Sequence, residues 1–305
     1  MTKGKPSNVT ASVRWRLLNV IRETGDDPNL IWTRYATERL LYRLSVSEHA
    51  GDFILKGAML FIAWTGRSYR PTVDMDLLGD GENSSERIAE VFRKVCAIEV
   101  EPDGLFFDAD AVTAAPIRQG QEYQGQRIAL TAFLGKARIP VQVDVGFGDV
   151  VTPKARKITY PTLLDFPDPS IRACPRETVV AEKFQAMVML GIANSRMKDF
   201  YDLYVLARDF AFDGHTLVQA IAATFKRRRT DIPIEPPLAL TDEFGCDEAK
   251  AAQWNAFVRK SGLEKGLPEL PEVLSHLRDF LLLPMMAASE HGPAPKRWAK
   301  GGPWG

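Results

Sequence analysis

The sequence predicts an α+β fold in which a mixed β-sheet core is followed by a helical C-terminal domain. Three observations carry that reading. Between residues 105 and 145, short segments alternate or run apolar with Gly, Pro and Gln between them, the pattern of a sheet meander. Upstream, the apolar run Phe53-Ile54-Leu55 delivers Lys56-Gly57-Ala58, and Arg70-Pro71-Thr72-Val73 leads into Asp74-Met75-Asp76-Leu77-Leu78. Beyond a proline-rich stretch at 152–176, apolar residues recur at helical spacing.

A chain of 305 residues buries a sizeable core and ordinarily holds one large or two moderate domains, here read as two. Its 39 basic and 39 acidic residues cancel, so any site for a polyanion must be local. Cys96, Cys174 and Cys246 lie far apart without paired spacing. That argues against structural zinc or a disulfide framework, and for a reducing compartment, the cytoplasm. Residues 1–9 are polar, and no run of about 18 apolar residues occurs, so a soluble protein with no membrane association is expected.

Residues 1–50 read as an N-terminal helical segment. Ser12 to Glu23 forms one helix, with Thr10 or Ser12 as N-cap and Val13, Leu17, Val20 and Ile21 on one face. A second helix from about Asn29 to Ser45 carries Leu30, Ile31, Tyr35, Leu40, Leu41 and Leu44 at helical spacing. Arg34, Glu38, Arg39 and Arg43 fall mostly off that face and read as solvated charges, with phosphate contact by Arg39 and Arg43 as the alternative.

Residues 51–170 form the sheet core. Phe53 to Lys56 is a short strand, and Gly57-Ala58 opens a helix, Met59 to Trp64, whose first N–H groups and dipole suit an anion. The glycine-rich P-loop spacing is absent. On the next strand, alternation places Asp74 and Asp76 on one face and Met75 on the other. Unit charges about 4 Å apart repel by roughly 1 kcal/mol in water and about 4 kcal/mol at a protein-like dielectric. A shared divalent cation relieves that repulsion; two solvated aspartates at a strand end are the plain alternative. A helix over Ser85 to Cys96 follows, then strands at Leu105 to Phe107, Ala111 to Ile117, Arg127 to Leu134 and Ile139 to Val145. In the last, Asp144 shares a face with Gln142 and Gly146, and becomes a third metal ligand if this strand lies beside Asp74 and Asp76.

The domain boundary falls within 152–176, where prolines crowd the chain. Residues 171–290 then read as helices at Glu177 to Leu190, Ser195 to Arg208, Gly214 to Arg228, Asp247 to Lys260 and Pro271 to Leu283, and 291–305 as a flexible tail. Lys183 borders the apolar stripe of its helix, with its stem laid along the core or its ammonium on a phosphate. Asp199 and Asp202 share a face at a helix start, where negative charge meets the dipole. Lys226-Arg227-Arg228-Arg229 is the densest basic run. Such a run complements a helix C-terminus or supplies a local RNA-binding surface.

Lys56-Gly57-Ala58, Arg70 to Leu78, Val141-Gln142-Val143-Asp144-Val145-Gly146-Phe147-Gly148-Asp149, Glu177 to Phe184 and Asn194 to Tyr204, in this order, resemble the AbiEii/AbiGii nucleotidyltransferase-toxin family. The likeness runs from about Thr10 to about Leu283. It implies a polymerase-β-like nucleotidyltransferase core and transfer of a nucleoside monophosphate from NTP to an acceptor, the 3′ end of tRNA or another RNA. It also implies use of Mg2+ or Mn2+, and a toxin of a toxin–antitoxin or phage-defence system restrained by a cognate antitoxin protein. By its motifs, Asp74, Asp76, Lys183 and Asp199 are catalytic, and Lys56, Gly57, Ala58, Lys183 and Lys198 bind nucleotide. The resemblance makes Asp74 and Asp76 metal ligands, and strand pairing, not the motifs, would add Asp144 to them. Two departures stand out. Ala58 sits where the family often has serine, and Arg196 replaces the first acid of a motif that here reads Arg196-Met197-Lys198-Asp199. A non-catalytic binding or regulatory module on the same fold is therefore the alternative; a metal-dependent nuclease shares the carboxylates but leaves Lys56-Gly57 and Lys183 without a role.

Overall fold

Asn8 starts the first helix, α1 (Val9–Thr24), by accepting a hydrogen bond from the amide of Ala11, so the cap lies upstream of both expected residues. In the computed structural model, residues 8–118, 124–263 and 266–305 are described. Residues 1–7, on which the polar start was read, lie outside them. The chain divides into two units, Met1–Gly148 with Arg156–Ala173, and Asp149–Ala155 with Cys174–Gly305.

In the first unit α2 (Pro28–Val46) follows, with Asp27 as N-cap and Pro28 in its first turn, where a missing N–H is harmless. Then come β1 (Phe53–Lys56), α3 (Met59–Thr65), β2 (Asp74–Gly79), α4 (Ser85–Ala97), β3 (Leu105–Phe107), β4 (Thr113–Arg118), β5 (Gln124–Leu134), β6 (Ala137–Phe147), β7 (Arg156–Thr159) and β8 (Ser170–Ala173). They build one mixed sheet in the order β3, β5, β6, β2, β1, β8, β7, with β4 beside β3 along β5. β2 runs parallel to β6 and β1 parallel to β8. The proline-rich stretch thus contributes β7 and β8 to the sheet.

Alternation decides which face is covered. Phe53 and Leu55, Met75 and Leu77, Val143 and Val145, and Ile128 and Leu130 are all buried, and the register stacks them on one side, against which α2 and α4 pack. The opposite side of the same strands carries Lys56, Asp74, Asp76, Asp144 and Arg127.

The charges of α2 are not solvated. Glu38 and Arg39 are fully buried and Arg43 nearly so. Asp103 binds Arg39 at 3.1 Å and Arg43 at 2.7 Å, and Arg39 also donates to the Pro167 carbonyl. Glu38 accepts from Arg34 and from the Leu163 amide, and its burial still pushes its carboxyl above the ordinary range. Burying charge is tolerated only with such pairing, which ties these arginines to the fold rather than to phosphate.

The second unit holds α5 (Arg176–Leu190), α6 (Met197–Asp209), a short β9 (Phe212–Asp213), α7 (Gly214–Arg227), α8 (Asp242–Cys246), α9 (Glu248–Lys260), α10 (Leu270–Ala288) and β10 (Arg297–Trp298). α5 packs on α7, and α10 on α6 and α7. Helix α10 continues past Leu283 with Pro284 inside it. Proline has no N–H for the carbonyl four residues earlier, that of Phe280. The Trp304 indole supplies the missing donor at 3.0 Å. Trp298 is buried, donates to the Ala207 carbonyl near the end of α6, and stands 5.0 Å from the Phe280 ring. Gly214 has no side chain in the way of Pro295, whose backbone lies where a β-carbon would be. The residues after 291 are therefore docked, correcting the expectation of a flexible tail: tryptophans with polar handles bury area that composition alone does not reveal. Among the described residues no helix is long and apolar enough to cross a membrane.

Candidate active site

The sheet face opposite α2 and α4 carries a row of charge across four strands. In the antiparallel pair β1/β2, Lys56 is opposite Asp76; in the parallel pair β2/β6, Asp76 is opposite Asp144; in the antiparallel pair β6/β5, Asp144 is opposite Arg127. Adjacent strands are about 4.8 Å apart, so the row spans roughly 15 Å. Asp74 lies on the same face one pleat along β2, in register with Gln142. Asp74 and Asp76 are half-buried and Met75 between them is fully buried. The pair is thus held from behind by the core.

Asp144 and Asp76 are neighbours in register, but the Asp144 carboxylate is engaged. Arg127 donates Nε to Oδ1 at 2.9 Å and Nη2 to Oδ2 at 2.7 Å, a planar two-pronged ion pair. That pairing raises the guanidinium above its ordinary range, and Asp74 and Asp76 add to the effect. Among the described residues no three His, Cys, Asp or Glu side chains converge as a metal cluster. Asp144, expected as a third ligand, thus has both carboxylate oxygens engaged by Arg127. Sequence reading missed Arg127: a charged residue on a strand carries no signal until the register is known.

Gly57 turns the chain at φ 69°, directly against the Asp76 carboxyl. The following helix, α3, offers less to an anion than expected. It is only 7 residues long, and the amides of Leu60 and Phe61 already bond the carbonyls of Gly57 and Ala58.

In the second unit, Lys183 does not extend to water. Its Nζ lies 2.6 Å from Asp199 Oδ1 and 2.8 Å from Asp202 Oδ2, and both carboxylates are almost fully buried. Arg196 Nε stands 2.8 Å from the other Asp199 oxygen, near enough to pair though not aligned for a hydrogen bond. The residue that departs from the family motif thus adds a second cation to Asp199. Lys198, one position earlier, is exposed.

The run 226–229 does not present four side chains to one surface. Arg228 reaches Asp149 at 3.1 Å and Gln185 Oε1 at 2.9 Å. Lys226 and Arg227 are exposed in the last turn of α7, and Arg229 sits in the left-handed region at φ 47°.

No curated protein matches the chain. Two solved structures from Helicobacter pylori align with the chain. One, provisionally assigned as a nucleotidyltransferase, aligns at 10% identity and TM-score 0.48 over 87% of this chain and 96% of its own. The other, the protein JHP933, aligns at 11% identity and TM-score 0.45 over 83% and 89%. The family model described as the nucleotidyl transferase AbiEii toxin of type IV toxin–antitoxin systems matches residues 39–276, a span that holds the Lys56-Gly57 turn, the two carboxylates of β2 and the Lys183 cluster. With most of its length inside that match, the chain belongs to the AbiEii nucleotidyltransferase toxin family.

Proposed function

We propose that the protein is a metal-dependent nucleotidyltransferase that moves a nucleoside monophosphate from NTP to RNA, with the 3′ end of tRNA as acceptor. It acts in the cytoplasm as the toxin of a phage-defence system, restrained by its cognate antitoxin. The observation that carries the reading is the pair Asp74 and Asp76 on one face of β2, with Lys56 in register beside Asp76. The donor set fits the metal: Mg2+ or Mn2+ takes hard oxygens, one or two carboxylates plus phosphate oxygens. When bound there, the ion neutralises phosphate charge and polarises the phosphoryl group.

The residues themselves position. Asp74 and Asp76 fix where the phosphates sit, Gly57 leaves room for the Asp76 carboxyl, and Lys56 offers a cation along the same row. An acceptor hydroxyl oxygen bonds to the α-phosphorus as the bond to the β-phosphate bridging oxygen breaks; pyrophosphate leaves and the hydroxyl proton passes to water. Such transfer needs mainly positioning and charge neutralisation. Lys183, Lys198 and Asp199 are assigned to nucleotide handling through the family motifs. Incubation with each of the four α-labelled NTPs, followed by separation of RNA from protein, tests the proposal. Label in RNA is expected; label in protein alone moves the acceptor, and no label from any NTP favours the binding-module reading that Ala58 and the Arg196–Asp199 pair suggest.

A further inference from the structure

We infer that Arg127 is a phosphate-binding residue of the nucleotide site and that Asp144 is its positioning residue, not a ligand to the metal. The inference rests on the nucleotidyltransferase reading above and concerns the division of labour within that site. Asp144 has spent both oxygens on Arg127. A carboxylate so committed reaches a cation only by giving up a two-pronged, charge-assisted contact.

Arg127 is only part-spent. A guanidinium has five N–H groups; the bonds to Asp144 use one on Nε and one on Nη2, and among the described residues the others have no protein partner. The side chain is 48% exposed, whereas that of Asp144 is 18% exposed. Asp144 therefore lies beneath and Arg127 above it, a fork locked in orientation with donors to spare.

Location supplies the ligand. Arg127 ends the row whose middle is Asp76 and whose other end is Lys56. Asp74 and Asp76 both act on it electrostatically, so the guanidinium lies within the field of the proposed metal pair. A cation held at each end of a row centred on metal-binding carboxylates matches the anionic chain of a nucleoside triphosphate. Arginine suits this place because its planar fork bonds carboxylate on one edge and phosphate on another.

The test uses full-length protein with Arg127→Gln, Asp144→Asn, Arg127→Lys and the double variant Arg127→Gln/Asp144→Asn. Mn2+ binding is read from the free-ion electron paramagnetic resonance signal, and affinity for a non-hydrolysable α,β-methylene NTP from calorimetry with Mn2+ present. Arg127→Gln is expected to weaken the nucleotide analogue about tenfold to a hundredfold, the range for a charged hydrogen-bonding group, while Mn2+ affinity holds or rises. Asp144→Asn should shift in the same direction by less, the double variant should bind no worse than Arg127→Gln alone, and Arg127→Lys should recover only part of the loss. The inference is overturned if Asp144→Asn weakens Mn2+ as much as Asp76→Asn does, or if Arg127→Gln leaves analogue affinity unchanged while the wild type binds both. A wild type that binds neither Mn2+ nor any analogue removes the nucleotidyltransferase reading itself, a distinct result.

Discussion

The backbone of Gly57 lies so close to the side chain of Asp76 that a β-carbon at position 57 would stand 2.7 Å from Asp76 Cγ. The same glycine holds φ at 69°, where an L-residue pays about 1–2 kcal/mol in strain. Gly57→Ala is therefore expected to destabilise the protein by roughly 1–3 kcal/mol and to displace the Asp76 carboxyl. Its Mn2+ affinity should fall along with transfer. A variant that melts early yet binds Mn2+ like wild type would show that Gly57 serves the turn alone.

Asp74→Asn and Asp76→Asn test the metal pair directly. Thermal melting of each variant, measured alongside, ensures that transfer is read on folded protein. Transfer should fall by at least about a hundredfold, since the charge stabilisation a metal supplies is several kcal/mol and each 1.36 kcal/mol is tenfold in rate. Chelation of divalent ions should reduce the wild type to the level of the variants. Near-normal turnover in either variant with magnesium present would remove the pair from the chemistry.

How much of this was legible in the sequence depended on whether a signal was local. β1, β2 and β6 stood out because alternation shows in a short window, and Asp74 and Asp76 shared a face on that ground alone. The pairing of Asp76 with Asp144 needed a parallel contact between β2 and β6, and the role of Arg127 needed one strand more. Those are tertiary facts with no local trace. Arg39 and Arg43 read as solvated because their partner, Asp103, is far along the chain. The expected last helix ends at Leu283, whereas α10 runs on through Pro284, whose missing N–H is replaced by the indole N–H of Trp304.

The Lys183 cluster should be a strong stabiliser. Lys183→Ala removes the ammonium that both buried carboxylates, Asp199 and Asp202, meet, while Arg196 stays on Asp199, a loss of about 3–5 kcal/mol by analogy with other broken buried pairs. Adding Asp202→Asn should recover part of it, because one buried charge fewer needs compensation. Calorimetry with an inert NTP analogue, done well below melting, separates the phosphate role: weaker binding supports it, and unchanged binding with the stability loss makes Lys183 a fold residue.

The docked C-terminal residues are a testable departure from the composition-based reading. Trp298 is buried and its indole meets the Ala207 carbonyl at 2.7 Å, so Trp298→Ala is expected to cost about 3–5 kcal/mol. Trp304→Phe keeps most of the ring stacking on Phe280 but leaves the carbonyl opposite Pro284 without its donor, at about 1–3 kcal/mol. Deleting residues 291–305 should lower the melting temperature more than Trp304→Phe does. A deletion that melts like wild type would show the tail to be ornamental in solution.

The basic run at the end of α7 splits into two roles that mutation separates. Arg228 holds Asp149 and Gln185, so Arg228→Gln should lower stability by about 2 kcal/mol, the worth of a charged hydrogen-bonded contact. Lys226 and Arg227 are exposed, and their joint change to glutamine should move stability by no more than about 0.5 kcal/mol each. If these two neutralise RNA phosphates, the double variant removes two released counterions, and the slope of log affinity against log salt should flatten by about 1.4 for a single-stranded end. The apparent constant for NTP should stay where it is, because the metal pair and the Lys56 row are untouched. Filter binding of tRNA across a salt series measures the slope. An unchanged slope and affinity would confine the run to its local duties, complementing the helix C-terminus and pairing with Asp149.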